Sequence, residues 1–493
     1  MGSRCARAGA AASTAAVVAL ATGVMGLAAL GGCAVGPRYV RPTVAVPQQF
    51  SEVRPGSFDV THPPASALWH SFGDPILDQL IDTALAHSTT LAQSVAQLNE
   101  ARALRGLEYF ALLPTVTASA SRQAQLFSSE NPLVPPNLGK ITTFNAGFDA
   151  SWEINIFGGA VSASRAAIAE ERAARAGLEA ARQSVVAEVA QAYFSLRADQ
   201  ERLRVAQRNI ANLTENQQLL EARLEGGRGT ELDVTRGRAL LLGTAARVPQ
   251  TQAAITRDEQ RLAVLTAEPI GALITQLGAP RPLPAMPSLV AIGTPAEWFQ
   301  RRPDIRQAEQ KLISQTRQIS VEMANYFPQL TLVGGFGWSA QTASALGSSA
   351  SRQWNYGPSL TWSFLDIGRV HQRVLAQKAR AAGAIATYQD TVLRAIEDTE
   401  NALAGYRAAN ESAMTLEEAV KASRTATELA QAQFQAGGVD TLVVLDAERS
   451  QLDLEDQLAT AESQRATALA ALYKALVGDF ALGPAAAAAA PPT

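Results

Sequence analysis

The chain has 493 residues, with 42 Lys and Arg against 45 Asp and Glu and a formal net charge of −3, which leaves no basic footprint for nucleic acid. Two cysteines and four histidines supply neither a disulfide scaffold nor a ligand-like spacing for a metal. A mean hydropathy near zero excludes a polytopic helical membrane protein, and the length suits about three ordinary domains or one large elongated one.

The first 32 residues read as a secretory signal peptide. Arg4 and Arg7 form its basic start, Ala15 to Leu30 its apolar core, and no Asp or Glu occurs before Glu52. Leu30-Gly31-Gly32-Cys33 resembles the lipobox of bacterial lipoproteins, which implies that Cys33 becomes a lipidated N-terminus. Residue 34 is Ala and not Asp, so nothing resembles an inner-membrane retention signal, and the outer membrane is the expected destination. Residues 33–74 then form an extended, lipid-anchored segment.

Two strands are expected at about 115–127 and 142–154. In the first run the even positions include Val116, Ala118, Ala120 and Leu126, while the odd ones are mostly Thr, Ser and Gln. In the second, Phe144, Ala146, Phe148, Ala150, Trp152 and Ile154 alternate with Thr143, Asn145, Gly147, Asp149, Ser151 and Glu153. Period two over such lengths predicts strands with one apolar and one polar face, each long enough to cross a bilayer at a tilt. Arg122 departs from the apolar pattern and fits only near a headgroup rim, because Arg costs about 2–4 kcal/mol at the midplane of a membrane barrel.

A helical hairpin follows at about 158–266. No proline lies between Pro136 and Pro249, so Gly158 to Gly226 can form one helix about 100 Å long. Ile210, Leu213, Gln217, Leu220 and Leu224 trace a coiled-coil seam along it. Gly226-Gly227 ends it as a C-cap, and Thr230 can N-cap the returning helix. Seven prolines between Pro269 and Pro303 mark residues 267–303 as an irregular linker, after which Pro303 suits the first turn of a new helix.

The plan then recurs over 304–480. Strands are expected at about 329–339, with Leu330, Leu332, Phe336 and Trp338 on one face, and at about 354–364, with Trp354, Tyr356, Leu360, Trp362 and Phe364 on one face. A second hairpin spans about 368–477, with Gly437-Gly438 as its break and Asp440 as a candidate N-cap. Trp152 matches Trp362, and Gly227 matches Gly437, at one offset of 210 residues. An Ala/Pro-rich tail, 481–493, closes the chain and is expected to be disordered.

Four strands cannot close a membrane barrel, and an open edge in lipid leaves unpaired backbone groups. Several chains must therefore pool strands. Two chains give eight strands and a filled interior, three give twelve and a lumen, and the polar odd-numbered face favours three. The expected fold is thus mixed α and β: a trimeric 12-stranded transmembrane β-barrel, four strands per chain, continued by a long α-helical barrel.

Several motifs together resemble the TolC superfamily of outer-membrane factors, in its OprM/NodT-type lipoprotein branch. They are Cys33-Ala34-Val35-Gly36-Pro37 with Tyr39 and Pro42; Trp69, Phe72 and Asp74; Arg301-Arg302-Pro303-Asp304-Ile305 with Ala308-Glu309; Tyr326-Phe327-Pro328; and Leu442 to Arg449. The resemblance implies a homotrimeric export duct in the cell outer membrane with its helical barrel in the periplasm. It implies a periplasmic adaptor protein and an inner-membrane pump, often RND class, as partners, with small molecules such as drugs as cargo.

By the same resemblance Leu442, Asp446 and Arg449 form a closed periplasmic gate. Leu442 and Asp446 share a helix face, where three Leu would seal by dewetting and three Asp would filter charge. Read from the residues alone, Asp446 and Arg449 suit an ordinary i,i+3 surface pair. Gly227, Arg228, Thr230, Gly437, Val439 and Asp440 are candidate adaptor contacts at the tips. No cofactor or metal is expected, and no nucleophile, base and metal set converges, so the chain does not read as an enzyme. A protein-secretion duct is the alternative within transport. A surface adhesin would need longer outer loops than about 128–140 and 341–353.

Overall fold

A computed structural model describes residues 35–54, 58–62, 68–128, 139–284, 286–287 and 290–476. The expected signal peptide, Cys33 and the tail 481–493 lie outside the described residues. In chain order the elements are β1 (Phe58–Asp59), α1 (Pro75–His87), α2 (Thr89–Phe110), β2 (Thr115–Gln125) and β3 (Ile141–Ile154), then α3 (Gly159–Glu225), α4 (Glu231–Ala245), α5 (Val248–Thr266) and α6 (Ile270–Leu277). They continue with β4 (Val290–Ala291), α7 (Pro295–Arg301), α8 (Pro303–Ala324), β5 (Gln329–Ala340), β6 (Arg352–Thr361), α9 (Ile367–Gln435) and α10 (Thr441–Leu476). The described residues fall into two compact units, one drawn from 35–42, 99–172 and 309–387, the other from 43–98, 173–308 and 388–476.

The first unit holds an antiparallel sheet in the order β2-β3-β5-β6, so β3 pairs with a strand that begins 175 residues after β3 ends at Ile154, at Gln329. Register sets even residues opposite even ones at every step: Ala118 faces Phe148, Phe148 faces Phe336, and Phe336 faces Trp354. The apolar residues of all four strands therefore share one continuous face. That face is bare in the single chain, with Trp354 66% and Tyr356 80% exposed. The odd face is polar, and its charges in the strands are Asp149 and Glu153.

Adding 214 to Thr115 gives Gln329, and adding 210 to its partner Ser151 gives Thr361, which is the partner of Gln329. The same two offsets relate another pair of contacts. The Trp152 indole donates to the Leu112 carbonyl at 3.0 Å, and the Trp362 indole to the Tyr326 carbonyl at 3.2 Å. Pro358 sits in β6, an edge strand, where a missing N–H is tolerated. The outer edges of β2 and β6 have no strand partner among the described residues.

The N-terminal segment lies against this unit. Gly36 has φ +127°, and a Cβ there would meet the Ser320 hydroxyl of α8 at 2.2 Å, so only glycine fits the approach. Glu309 accepts from the Tyr39 hydroxyl at 2.9 Å and from Arg41 Nε at 2.7 Å. This joins two separated motifs of the sequence, and Arg41 is a partner that motif reading did not single out.

In the second unit the helices pack on small and aliphatic side chains. Leu213 and Leu220 of the expected seam are buried with Gln217, while Leu224 is exposed. The returning helix of the first hairpin is broken at Ala246-Arg247, ahead of Pro249, whose ring cannot accommodate an uninterrupted helix. α10 has no proline and runs unbroken for 36 residues. The stretch 267–303 is less irregular than its prolines suggest. It holds α6, whose Leu273 and Leu277 are buried, then α7, and β4, which pairs in parallel with β1.

Arg302 ties this stretch to the long helices. Its guanidinium bonds Asp304 and donates to the Ala395 carbonyl at 3.2 Å and the Ala475 carbonyl at 3.4 Å, while Pro303 opens α8. Phe72 packs edge-on to Phe194 at 5.2 Å. Asp74 caps α1 and accepts from the Tyr193 hydroxyl, whose pKa is pushed up to about 12, by burial first and then by that bond. No helix among the described residues is long and apolar enough to cross a membrane.

Candidate functional site

The site is built at the two helix breaks in the second unit. After α3, Gly227 N–H donates to the Leu224 carbonyl and Arg228 N–H to the Arg223 carbonyl. After α9, Gly437 N–H donates to the Phe434 carbonyl and Gly438 N–H to the Gln433 carbonyl. Each is a Schellman ending, in which two bonds satisfy the last free carbonyls. Each needs a left-handed residue, and Gly227 (φ +66°) and Gly437 (φ +76°) supply it without a Cβ penalty. The two breaks match atom for atom at the offset of 210.

The returning helices start differently. Thr230 forms a full capping box with Asp233, each side chain accepting from the other residue's backbone N–H. At Asp440 the contact is made by the backbone, Val443 N–H donating to the Asp440 carbonyl. Arg228, Thr230, Gly227, Gly437 and Asp440 are exposed in the single chain, while Val439 is half-buried. Across the hairpin stems, the Arg223 guanidinium lies 4.0 Å from the centre of the Phe434 ring. Gly237 of α4 approaches α3 so closely that a Cβ would meet Gln217 Oε1 at 2.7 Å.

Leu442, Asp446 and Arg449 lie together on the exposed side of α10, with Leu442 52% exposed. Their spacing of four and three residues keeps them on one face. They border a groove of about 550 Å³ that Arg236 and Arg247 also line. Asp446 and Arg449 form no ion pair with each other among the described residues, although their spacing would allow one within the chain. Both charges are thus left for water or for groups beyond the single chain.

α10 also carries two buried carboxylates that pattern reading passed over, and one of them, Glu455, borders the same groove. Glu448 is buried, and its Oε1 accepts from Asn216 of α3 and from Gln431 of α9, the latter at 3.1 Å. Burial raises its pKa, against the lowering effect of the two amides. Glu455, whose side chain is 2% exposed, collects Arg424 at 2.9 Å, Arg208 at 3.0 Å and Gln451 at 3.2 Å. Burial pushes Glu455 up, but those bonds more than offset it and hold its pKa low. The two glutamates are seven residues apart and share one heptad position, with Glu448 four residues after buried Val444 and three after buried Leu445, and that spacing was the available signal.

The whole arrangement offers no nucleophile paired with a base. It presents two matched tips, an exposed row of Leu442, Asp446 and Arg449, and in the first unit an apolar sheet face backed by a polar one.

Residues 80–268 and 295–478 match the family described as outer membrane efflux protein. The pyoverdine export outer membrane protein OpmQ of Pseudomonas putida is 31% identical over 421 residues, covering 85% of this chain and 89% of that protein. The outer membrane protein OprJ of Pseudomonas aeruginosa is 29% identical over 467 residues, covering 92% of this chain and 94% of OprJ. Among solved structures, the outer-membrane channel OprN is similar with a TM-score of 0.86 and 37% identity, over 91% of this chain and all of that one.

Proposed function

The chain belongs to the outer membrane efflux protein family, and from that membership we propose how its strands and tips assemble into a duct. It is an outer-membrane channel of a tripartite efflux system, not an enzyme, with its helical part in the periplasm and an adaptor and a pump as partners. The finer reading is a homotrimer. Three copies of the β2-β3-β5-β6 sheet close into a 12-stranded barrel through β6 of one copy and β2 of the next. The chain consists of two related halves, 75–303 and 304–480, behind a segment lipidated at Cys33. The long helices form a periplasmic tube. Leu442, Asp446 and Arg449 form its periplasmic gate, and the tips at Gly227, Arg228, Thr230, Gly437, Val439 and Asp440 meet the adaptor.

The observation that carries this reading is the sheet: two edges without an outer partner, one bare face that is apolar except near its end remote from the helices, and one polar face. An open edge cannot remain in lipid, so closure by other copies satisfies the backbone. The polar face then lines a wet lumen, and the apolar one meets the hydrocarbon. Cargo is a class of small molecules, by relation to the pyoverdine exporter OpmQ and the toluene efflux protein TtgF of Pseudomonas putida. The pump is of the proton-driven RND class.

The gate is tested in planar bilayers. Leu442→Ala with Asp446→Ala opens the constriction and raises single-channel conductance. Unchanged conductance would remove these residues from the gate.

A further inference from the structure

The apolar sheet face carries charge at one end only, and of one sign. In the strands its charged residues are Arg122 of β2 and Arg352 of β6. Every other even strand position is apolar, Thr or Tyr, and both acidic strand residues, Asp149 and Glu153, lie on the odd face. Arg122 pairs with Phe144, the fourth residue of β3, and its guanidinium lies 5.7 Å from the centre of that ring. Arg352 begins β6 and pairs with Trp338 near the end of β5. Lys140 immediately precedes β3 at the same end of the sheet. These are the strand ends remote from the helices, hence the outer side of the membrane.

Both arginines are exposed, and neither makes an ion pair among the described residues. Trp338, Trp354 and Tyr356 lie on the same face beside them, with Trp354 and Tyr356 stacked at 5.6 Å. An aromatic belt sets the level of the membrane interface. A guanidinium at that level has its apolar stem in hydrocarbon and its fork among headgroups, where it meets phosphate through two parallel hydrogen bonds.

We propose that Arg122 and Arg352, on the two edge strands of the sheet, each bind a phosphate of outer-leaflet lipid headgroups, a pattern repeated around the barrel. The site rests on the lipid-facing assignment of the even face made above. The ligand is a phosphomonoester carried on a lipid, held by charge-assisted bonds from the guanidinium, which in Arg122 lies beside the Phe144 ring.

The test uses the full-length assembled protein in detergent, with bound lipid counted by native mass spectrometry. The probes are bisphosphorylated lipid A, the same lipid stripped of both phosphates, and inorganic phosphate. The wild-type protein retains the phosphorylated lipid about 30-fold better than the stripped one, since each basic side chain near an anionic surface contributes about fivefold. Arg122→Gln with Arg352→Gln abolishes that preference, whereas Arg122→Lys with Arg352→Lys keeps most of it. Equal retention of the two lipids, or a preference that survives the double Gln change, overturns the site while leaving the lipid face intact. Retention of neither lipid overturns the lipid face as well. Inorganic phosphate that displaces the lipid at equal concentration shows an anion site without lipid recognition and also overturns the proposal.

Discussion

If the chain is two related halves, the seam between copies follows from the seam within one copy. Inside the chain β3 meets β5 with Asp149 opposite Gly335. Adding 210 to Asp149 gives Ser359 of β6, and subtracting 214 from Gly335 gives Ser121 of β2. The inter-copy seam therefore sets Ser359 opposite Ser121 of the next copy, on the odd, lumen side. The test is Ser121→Cys with Ser359→Cys in one chain. The sequence has only Cys5 and Cys33, one in the expected signal peptide and the other at the expected lipid site, so no native thiol should interfere. Directly opposed residues of an antiparallel pair have Cβ atoms about 4.5–5.5 Å apart, close to the roughly 3.5–4.5 Å of a disulfide. A slip of two residues moves them to about 7–8 Å, beyond bridging without backbone movement. Mild oxidation of the assembled protein should then give a covalent trimer on a non-reducing denaturing gel. The control pair Ser119→Cys with Ser359→Cys should stay monomeric. Efficient linking of the control but not of the Ser121 pair refutes the register. A ladder that stops at dimers refutes closure by three.

Further outcomes follow from the charges. Burial raises the Glu448 pKa above its ordinary 4.5, so its stabilising contribution is whole below 4.5 and is lost as pH rises through the raised value. Glu448→Gln should therefore unfold at an equal or higher temperature than the wild type near pH 8, and the difference should vanish in acid; a variant less stable at pH 8 with an unchanged pH slope refutes this. In a lumen whose strand charges are Asp149 and Glu153, Asp149→Asn with Glu153→Gln should lower the cation-over-anion permeability ratio in reversal-potential measurements, and an unchanged ratio would place these residues off the ion path. Cys33→Ser should abolish incorporation of labelled fatty acid, and persistent labelling refutes lipidation at Cys33.

Much of this chain is legible without coordinates. Alternation of apolar and polar residues fixes which face of each strand is which, because side chains on a strand point to opposite sides in turn. The absence of proline marks the two long helices, and the paired glycines mark their ends, because only glycine takes the left-handed cap cheaply. Those rules are local, so the sequence carries them in full.

What sequence could not decide depends on contacts between distant segments. The pairing of β3 with β5, across the whole first hairpin and the linker, sets all four apolar rows on one face, and no local rule specifies it. The linker's prolines hide three short elements that form because Leu273, Leu277 and Trp298 find a core to enter. Spacing allows Asp446 to pair with Arg449, yet the folded chain leaves both charges facing outward. It is Glu448 and Glu455, on the same helix, that are buried and bonded to α3 and α9. A helix exposes candidates on every face, and only the neighbouring helices determine which face loses its water.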